Sequence, residues 1–304
     1  MRRASVTTSL KSALLDYQYE NGRRYQGYGK EKYFLPADET EADRLDLVSH
    51  MLNLCTGGKL HFAPIGDNPQ RILDLGTGTG IWAIDMGDQY PSADVLGNDL
   101  ADNQPRNVPP NVRFEIDDIE QEWIYSEGFD YIHMRMMGGA LKDWPKLLRQ
   151  AFKFTKPGGW VEFMDFTMTF NKASPSGHFE RGCPVDKWTV ELKDLMHGIG
   201  LDPEPGPKLL GWFKDTGFTN INQKTFHIPV GTWPKDKTMK EIGTINAIQF
   251  MENLEGFTLR PLTMKGWKRE EIMVFIADVR KDFKNSKLQM QHDGYAVWAQ
   301  KPLD

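Results

Sequence analysis

The spacing of apolar residues changes along this chain, and each spacing predicts a type of element. Leu45, Val48, Met51 and Leu52 recur at helical spacing, with acidic residues before them and the pair Gly57–Gly58 after them. Acids in a first turn and glycine after a last turn are typical of helix ends. We therefore predict an amphipathic helix here, preceded by a polar segment that is rich in tyrosine.

From residue 71 onward, short apolar runs alternate with helical patterns. The runs are RILDLG, DVLGNDL, VRFEIDD, FDYIHMR and WVEFMDF, and later FTNINQKTFHIPVG and YAVWAQKP. Strands that alternate with helices are typical of βαβ units and a parallel sheet. Apolar residues at successive positions indicate strands that are covered on both faces. The pattern therefore predicts an α/β fold.

Composition narrows the function classes that this fold can serve. The 304 residues carry a net charge of −5 and no long run of lysine or arginine, which argues against direct nucleic-acid binding. No apolar stretch approaches the about 18 residues that a membrane span needs. Two cysteines, Cys55 and Cys183, stand apart from any Cys/His cluster, so we expect no metal site and a reducing, intracellular compartment, either cytoplasm or nucleus.

The turn after the first predicted parallel strand is rich in glycine. Gly76, Gly78 and Gly80 let the backbone approach a ligand, with Thr77 between the first two, and a helix start follows. The spacing GxGxG differs from the dinucleotide fingerprint GxGxxG, and the GK[ST] of a P-loop is absent. Asp74 would repel a pyrophosphate but would attract an ammonium group. The turn therefore suits a ligand with an amino acid end.

Acidic residues also end the next two strands. Asp99 lies 19 residues after Gly80, and a carboxylate there can accept both hydroxyls of a ribose. Asp117-Asp118 can bind an adenine amino group, with Ile119 packing on the ring. Ligands of open α/β sheets bind at this edge. Together with Asp74, these positions predict S-adenosyl-L-methionine as the cofactor, and Leu100 is counted among its contacts.

Several longer segments resemble class I S-adenosylmethionine-dependent methyltransferases, and more closely the LaeA-like methyltransferases of filamentous fungi. Examples are YFLPADETEADRLDL, ILDLGTGTGIWAIDM, VPPNVRFEIDDIEQEW and KPGGWVEFMDF. The resemblance covers nearly the whole chain after about residue 18. It implies a Rossmann-like, seven-stranded, mostly parallel sheet with helices on both faces. It also implies cofactor contacts for Asp74, Gly76, Thr77, Gly78, Gly80, Asp99, Asp117 and Asp118.

The resemblance further implies a division of the chain. Residues 1–60 would form a tail and a helical lid, in which Tyr25 and Tyr33 fold over the cofactor. Residues 61–304 would form the methyltransferase domain. Helical insertions at about 171–217 and 232–290 would roof the site of the methyl acceptor.

The tip of the fourth strand holds the candidates for chemistry. His133 is the best base by its pKa range, although a histidine inside a strand is more often a core residue. Met134 and Arg135 are counted as cofactor contacts, and Arg135 is suited to the methionine carboxylate or to an acidic substrate. Glu162 and Asp165 lie on opposite faces of the fifth strand, so we expect at most one of them in the site.

Two functions fit these features, and a third, rarer one is a methyltransferase fold recruited for a non-methylating reaction on a natural product. The first is an S-adenosylmethionine-dependent methyltransferase that acts on a small molecule of fungal secondary metabolism. The alternative is a LaeA-like regulatory protein that binds a partner protein or methylates proteins, with little small-molecule turnover. An intact cofactor site favours the enzyme, and the acceptor is not readable from the motifs.

Overall fold

The computed structural model describes residues 17–20, 22–25 and 36–303. A short antiparallel hairpin of β1 (Gln18–Glu20) and β2 (Arg23–Tyr25) precedes α1 (Glu39–Thr56). Helix α1 begins at Asp38, whose side chain accepts a hydrogen bond from the amide of Glu41, and ends at Gly57, where φ is 68°. The helix predicted from the apolar spacing is thus confirmed.

One large sheet forms the centre of the protein. Its strands are β3 (Arg71–Leu75), β4 (Asp94–Asp99), β5 (Val112–Ile116), β6 (Phe129–Arg135), β7 (Thr155–Phe166), β8 (Asn171–Lys172), β9 (Thr219–Val230) and β10 (Met290–Gln300). The order is β5-β4-β3-β6-β7-β10-β9, and the two-residue β8 also pairs with β10. Strands β3 to β7 are parallel, and β10 is antiparallel to both neighbours. The predicted seven-stranded, mostly parallel sheet is confirmed, with β8 as an addition.

Helices cover both faces of the sheet and form a lobe beside it. They are α2 (Ile81–Gln89), α3 (Trp144–Phe154), α4 (Pro184–Gly198), α5 (Leu209–Thr216), α6 (Lys237–Glu252), α7 (Leu254–Met264) and α8 (Arg269–Lys284). One face of the sheet packs on α3 and α5 through residues such as Leu147 and Phe213. The other face packs on α2 through Trp82 and Met86. Helices α4, α7 and α8 share a separate apolar core that includes Trp188.

The two helical regions predicted as insertions pack against different parts of the protein. Helix α5, inside residues 171–217, buries Leu209 and Phe213 in the same core as strands β3 and β6, so it covers the sheet. Helices α6, α7 and α8 lie inside residues 232–290, and α6 packs against α1 and β9. Within the described part of the chain, no helix is both long enough and apolar enough to span a membrane.

Candidate functional site

A cavity lies at the carboxyl edge of strands β3 to β6, under helix α1. Its volume is about 1270 Å³ when its open mouth is included. The cavity lining contains these residues that the sequence predicted as cofactor contacts: Gly76, Thr77, Gly78, Asp99, Leu100, Asp117, Asp118, Ile119 and Arg135. Parallel strands bring these residues together because their carboxyl ends meet at one edge.

The glycine turn has the backbone conformation that its sequence requires. Gly76, Gly78 and Gly80 have φ values of 64°, 61° and 83°, a region that L side chains rarely adopt. A Cβ on Gly80 would lie 2.4 Å from the ring of Phe114. Gly80 lies outside the cavity lining, and its role is to start α2 close against β5.

Two amide side chains hold this turn, and the sequence pattern had not singled them out. The side-chain oxygen of Asn98 accepts from the amide of Gly76 at 3.4 Å, and its backbone carbonyl accepts from the amide of Thr77 at 2.8 Å. The side-chain nitrogen of Gln104 donates to the carbonyl of Gly78 at 2.6 Å and to that of Ala101 at 3.0 Å. Amides carry no motif of their own, so only the three-dimensional contacts reveal these roles.

The acids at the strand ends are also part of the turn. Asp99 accepts from the backbone amides of Gly78 and Ala101, at 2.8 and 2.9 Å. Desolvation raises the pKa of Asp99 to about 6 and also raises the pKa of Asp117 above its usual value. Asp118 is buried and accepts from the amide of Glu120 at 3.0 Å. The acids therefore combine a structural role with a position at the cavity.

Asp74 and His133 lie behind the turn, outside the cavity lining. One oxygen of Asp74 accepts from the hydroxyl of Thr77 at 2.6 Å, and the other accepts from Nδ1 of His133 at 2.7 Å. The imidazole stacks on Trp82 with ring centroids 3.6 Å apart. Burial lowers the pKa of His133. Both carboxylate oxygens of Asp74 thus already have protein donors, and His133 is packed as a core residue.

Arg135 connects the main cavity with a smaller second cavity. Its Nη2 donates to the hydroxyl of Ser49 on α1 at 2.9 Å, and its guanidinium lines both spaces. The second cavity is also lined by His133 and Glu162. Desolvation lowers the pKa of Arg135 below its usual value. This position is well suited to an anionic group at the end of the main cavity.

Two other predicted contacts lie away from the cavity lining. Met134 is buried in the core between the sheet and α3, because its side chain points to the opposite face from Arg135. Tyr25 is buried under the guanidinium of Arg260, 4.7 Å from the ring centre. Tyr33, the second predicted lid residue, lies outside the described residues.

Helix α1 forms one wall of the cavity, and the motifs did not show which of its residues face the cavity. Its residues Glu41, Leu45, Val48, Ser49 and Leu52 line the cavity. The hydroxyl of Thr79 donates to Asp46 at 2.6 Å and ties the glycine turn to this helix. The amphipathic pattern predicted the helix itself, but amphipathicity does not say what a helix faces.

The segment after β6 adds apolar groups to the cavity lining, from Met136, Met137, Ala140 and Leu141. Asp165 holds this segment by accepting from the amide of Met137 at 2.7 Å, and burial raises the pKa of Asp165 to about 7.

Glu162 lies on the other side of β7. It accepts from the amides of Phe62 and Ala63, both at 2.8 Å, and desolvation raises the pKa of Glu162 to about 7. Neither Glu162 nor Asp165 lines the main cavity, so both act first as anchors for neighbouring backbone.

The arrangement defines a class of protein. An open parallel sheet, a glycine turn, acids at the next two strand ends and a cationic group beside them fit a nucleoside that carries an amino acid. The described residues contain no group of three or more His, Cys, Asp and Glu side chains that could hold a metal ion. The fold and site therefore define a Rossmann-like protein that binds a nucleoside cofactor.

Comparison with known proteins gives the family. A model of a methyltransferase domain matches residues 47–223. The chain is 39% identical to the methyltransferase pytC of Aspergillus terreus, over 98% of this chain and 92% of that protein. It is 34% identical to the secondary metabolism regulator LAE1 of Cochliobolus heterostrophus, over 93% and 94% of the two chains.

A solved structure agrees at the level of the fold. The [4+2]-cyclase SpnF aligns with a TM-score of 0.50 and 16% identity, over 90% of this chain and 98% of that one. The protein belongs to the LaeA-like family of methyltransferases, and its cofactor is S-adenosyl-L-methionine. The family and cofactor that the motifs predicted are confirmed.

Proposed function

We propose that this methyltransferase transfers the methyl group of S-adenosylmethionine to a small molecule of fungal secondary metabolism. The observation that carries the proposal is the lining of the main cavity under α1. This lining combines acids and the glycine turn with the apolar side chains of Leu45, Val48, Leu52 and Met137. A largely apolar, concave space with a few polar groups is typical of small-molecule sites.

The cofactor half of the cavity has a role for each polar group. Asp99 would accept the ribose hydroxyls, Asp117 and Asp118 would bind the adenine amino group, and Ile119 would pack on the ring. Gly76, Thr77 and Gly78 would follow the methionine half, and Arg135 would pair with its carboxylate. These assignments rest on the positions of the side chains around one cavity.

The acceptor half of the cavity would align the nucleophile and exclude water. Bound S-adenosylmethionine supplies an activated methyl group, so positioning is the main task of the protein. His133 lies outside this half, and its Nδ1 is engaged with Asp74. The proposal therefore gives His133 the role of holding Asp74, and assigns no general base among the described residues.

An isotope experiment tests the proposal. Purified protein and S-adenosylmethionine with a trideuterated methyl group would be incubated with a fungal metabolite extract and, separately, with fungal protein. We expect the label in low-molecular-mass products, detected by mass spectrometry. The Asp99→Ala variant, which loses the ribose acceptor, is the matched control and should transfer no label. Label that enters protein alone would contradict the proposal.

The second candidate is a regulatory role through a partner protein or through protein methylation. The observation that favours it is the 34% identity to a secondary metabolism regulator over nearly its full length. The protein arm of the same experiment, followed by peptide mapping, tests this candidate. For either role we propose action in the cytoplasm or the nucleus, where free thiols such as Cys55 and Cys183 persist.

A further inference from the structure

A buried polar network connects the wall of the cofactor cavity to the central sheet. It consists of Glu41 and Arg44 on α1, Gln249 and Asn246 on α6, and His292 on β10. All five side chains are buried. Buried polar groups are costly unless each finds a partner, so a continuous network of this length calls for a physical explanation.

The hydrogen bonds run without a break from one end to the other. Arg44 donates to both oxygens of Glu41, at 2.9 and 2.7 Å, and to the side-chain oxygen of Gln249 at 3.0 Å. Gln249 donates to the oxygen of Asn246 at 3.2 Å. The nitrogen of Asn246 faces Nε2 of His292 at 2.9 Å.

The groups at each end of this network allow its hydrogen bonds to run in one direction only. Arg44 has only donors, so Gln249 must turn its oxygen toward Arg44 and its nitrogen toward Asn246. At the other end the Asn246 nitrogen also donates to the carbonyl of Pro229, at 3.0 Å. Nε2 of His292 must therefore accept, and Nδ1 carries the proton toward the carbonyl of Thr167, 3.2 Å away. Arg44 at one end and the Pro229 carbonyl at the other therefore require the same orientation of the two amide groups, those of Gln249 and Asn246.

The network ends on the part of α1 that forms the cavity wall. Glu41 lines the cavity, and one to three turns further along the same helix Leu45, Ser49 and Leu52 line it too. Ser49 accepts from Arg135, so a shift of α1 would also move the hydroxyl that holds this guanidinium. Gln249 and Asn246 themselves lie outside the cavity lining.

We propose that Gln249 and Asn246 are positioning residues for the cofactor site. They hold Arg44, and through it Glu41 and α1, at the position where α1 closes the cavity. The position of the cavity wall is thereby set by helix α6 and strand β10, which lie on the other side of the sheet's centre from Asp99 on β4. This role concerns cofactor binding and does not depend on which acceptor the enzyme uses.

Binding of S-adenosylhomocysteine to the full chain tests the proposal. Isothermal titration calorimetry would be done well below the unfolding temperature. Gln249→Met keeps the volume but removes both hydrogen bonds, and we expect the affinity to fall about fivefold or more, the usual lower range of coupling between sites. Asn246→Leu should have the same effect.

Thr258→Val is the matched control. Thr258 is fully buried on α7, where its hydroxyl accepts from Trp188 at 2.8 Å and donates to the carbonyl of Leu254. Its removal should reduce the unfolding temperature and leave the affinity unchanged. Wild-type affinity in Gln249→Met, or equal weakening in Thr258→Val, would overturn the proposal.

The nitrogen chemical shifts of the histidine rings give a second, spectroscopic test. In the wild-type protein we expect His292 to be neutral, with its proton on Nδ1. A proton on Nε2 in the wild-type protein would show that the assigned orientation of the network is wrong.

Discussion

Nδ1 of His133 lies 2.7 Å from a carboxylate oxygen of Asp74, and the two side chains are almost completely buried. Strands β3 and β6 place these residues opposite each other in register, so the contact is built into the sheet. The pair lies beneath the glycine turn, where Asp74 also holds Thr77. The pair thus supports the cofactor turn from below.

This position predicts a mild effect of His133→Asn on catalysis. The amide can replace Nδ1 as a donor to Asp74, so we expect single-turnover methyl transfer to change by less than about tenfold, whereas loss of a general base costs about 10²–10⁴. The measurement would use the acceptor found by isotope transfer. His133→Leu, which leaves one oxygen of Asp74 without this donor, should lower the free energy of unfolding in urea by about 1.5–3 kcal/mol. A hundredfold slower transfer in His133→Asn at unchanged cofactor affinity would instead identify a base.

Asp99 should make cofactor binding dependent on pH. Its pKa is raised to about 6, so the carboxylate becomes protonated as the pH falls through that value and loses acceptor capacity. We expect the affinity for S-adenosylhomocysteine to be constant from pH 8 to 7 and then to fall, approaching tenfold per unit below about pH 6. Titration calorimetry from pH 8 to 5 measures this. Asp99→Asn should bind more weakly at pH 8 and show a flatter profile, and a wild-type-like profile in that variant would assign the effect to another group.

Substitution of Arg135 should affect the affinity for two ligands differently, because only one of them has an amino acid end. If it pairs with the methionine carboxylate, Arg135→Gln should weaken binding of S-adenosylhomocysteine by about 1.5–3 kcal/mol, the usual range for a hydrogen bond to a charged group. Binding of 5′-methylthioadenosine, which lacks the carboxylate, should change little. Equal losses for both nucleosides would show that the variant disturbs the cavity as a whole, and an unchanged affinity for both would favour an acidic substrate as the partner.

Gly80→Ala should be strongly destabilising. The residue has a φ of 83°, and a Cβ would lie 2.4 Å from the ring of Phe114. Backbone strain and overpacking together should therefore lower the free energy of unfolding by roughly 2–5 kcal/mol. Gly211→Ala is the matched control, because Gly211 lies within α5 and a Cβ there meets nothing within 4 Å. That change should stabilise the helix by about 1 kcal/mol. Chemical denaturation of the two variants measures both effects, and similar values would contradict the prediction.

His292 should reduce stability in acid. Burial lowers its pKa to about 4 from the usual 6.5, so the unfolded chain binds a proton that the folded chain excludes. The contribution of this site is fully present above pH 6.5 and decreases as the pH falls, by about 3 kcal/mol near pH 4. His292→Gln can accept from Asn246 but does not titrate. The free energy of unfolding of the variant, relative to wild type, should therefore improve between pH 7.5 and 4.5, and a constant difference would refute the assignment.

The sequence by itself determined the local elements and the cofactor class. Strands β3 to β7 follow from apolar runs bounded by turn residues, and α1 follows from its periodicity and from Asp38 and Gly57 at its ends. The glycine turn and the acids at the next two strand ends could be placed together because parallel strands end at one edge. These features depend on short-range chemistry, which a single sequence displays directly.

Only the tertiary structure decided what surrounds the glycine turn and the acids at the strand ends. The sequence does not show that α1 is the cavity wall or that His133 is held by Asp74. It also does not show that Asp165 on β7 anchors Met137, which follows the neighbouring strand β6. The same holds for the network from Arg44 to His292, whose partners lie 205 and 46 residues apart along the chain. The physical reason is that burial and hydrogen-bond partners are properties of packing between distant segments, and identical side chains serve as base, anchor or core residue according to what packs beside them.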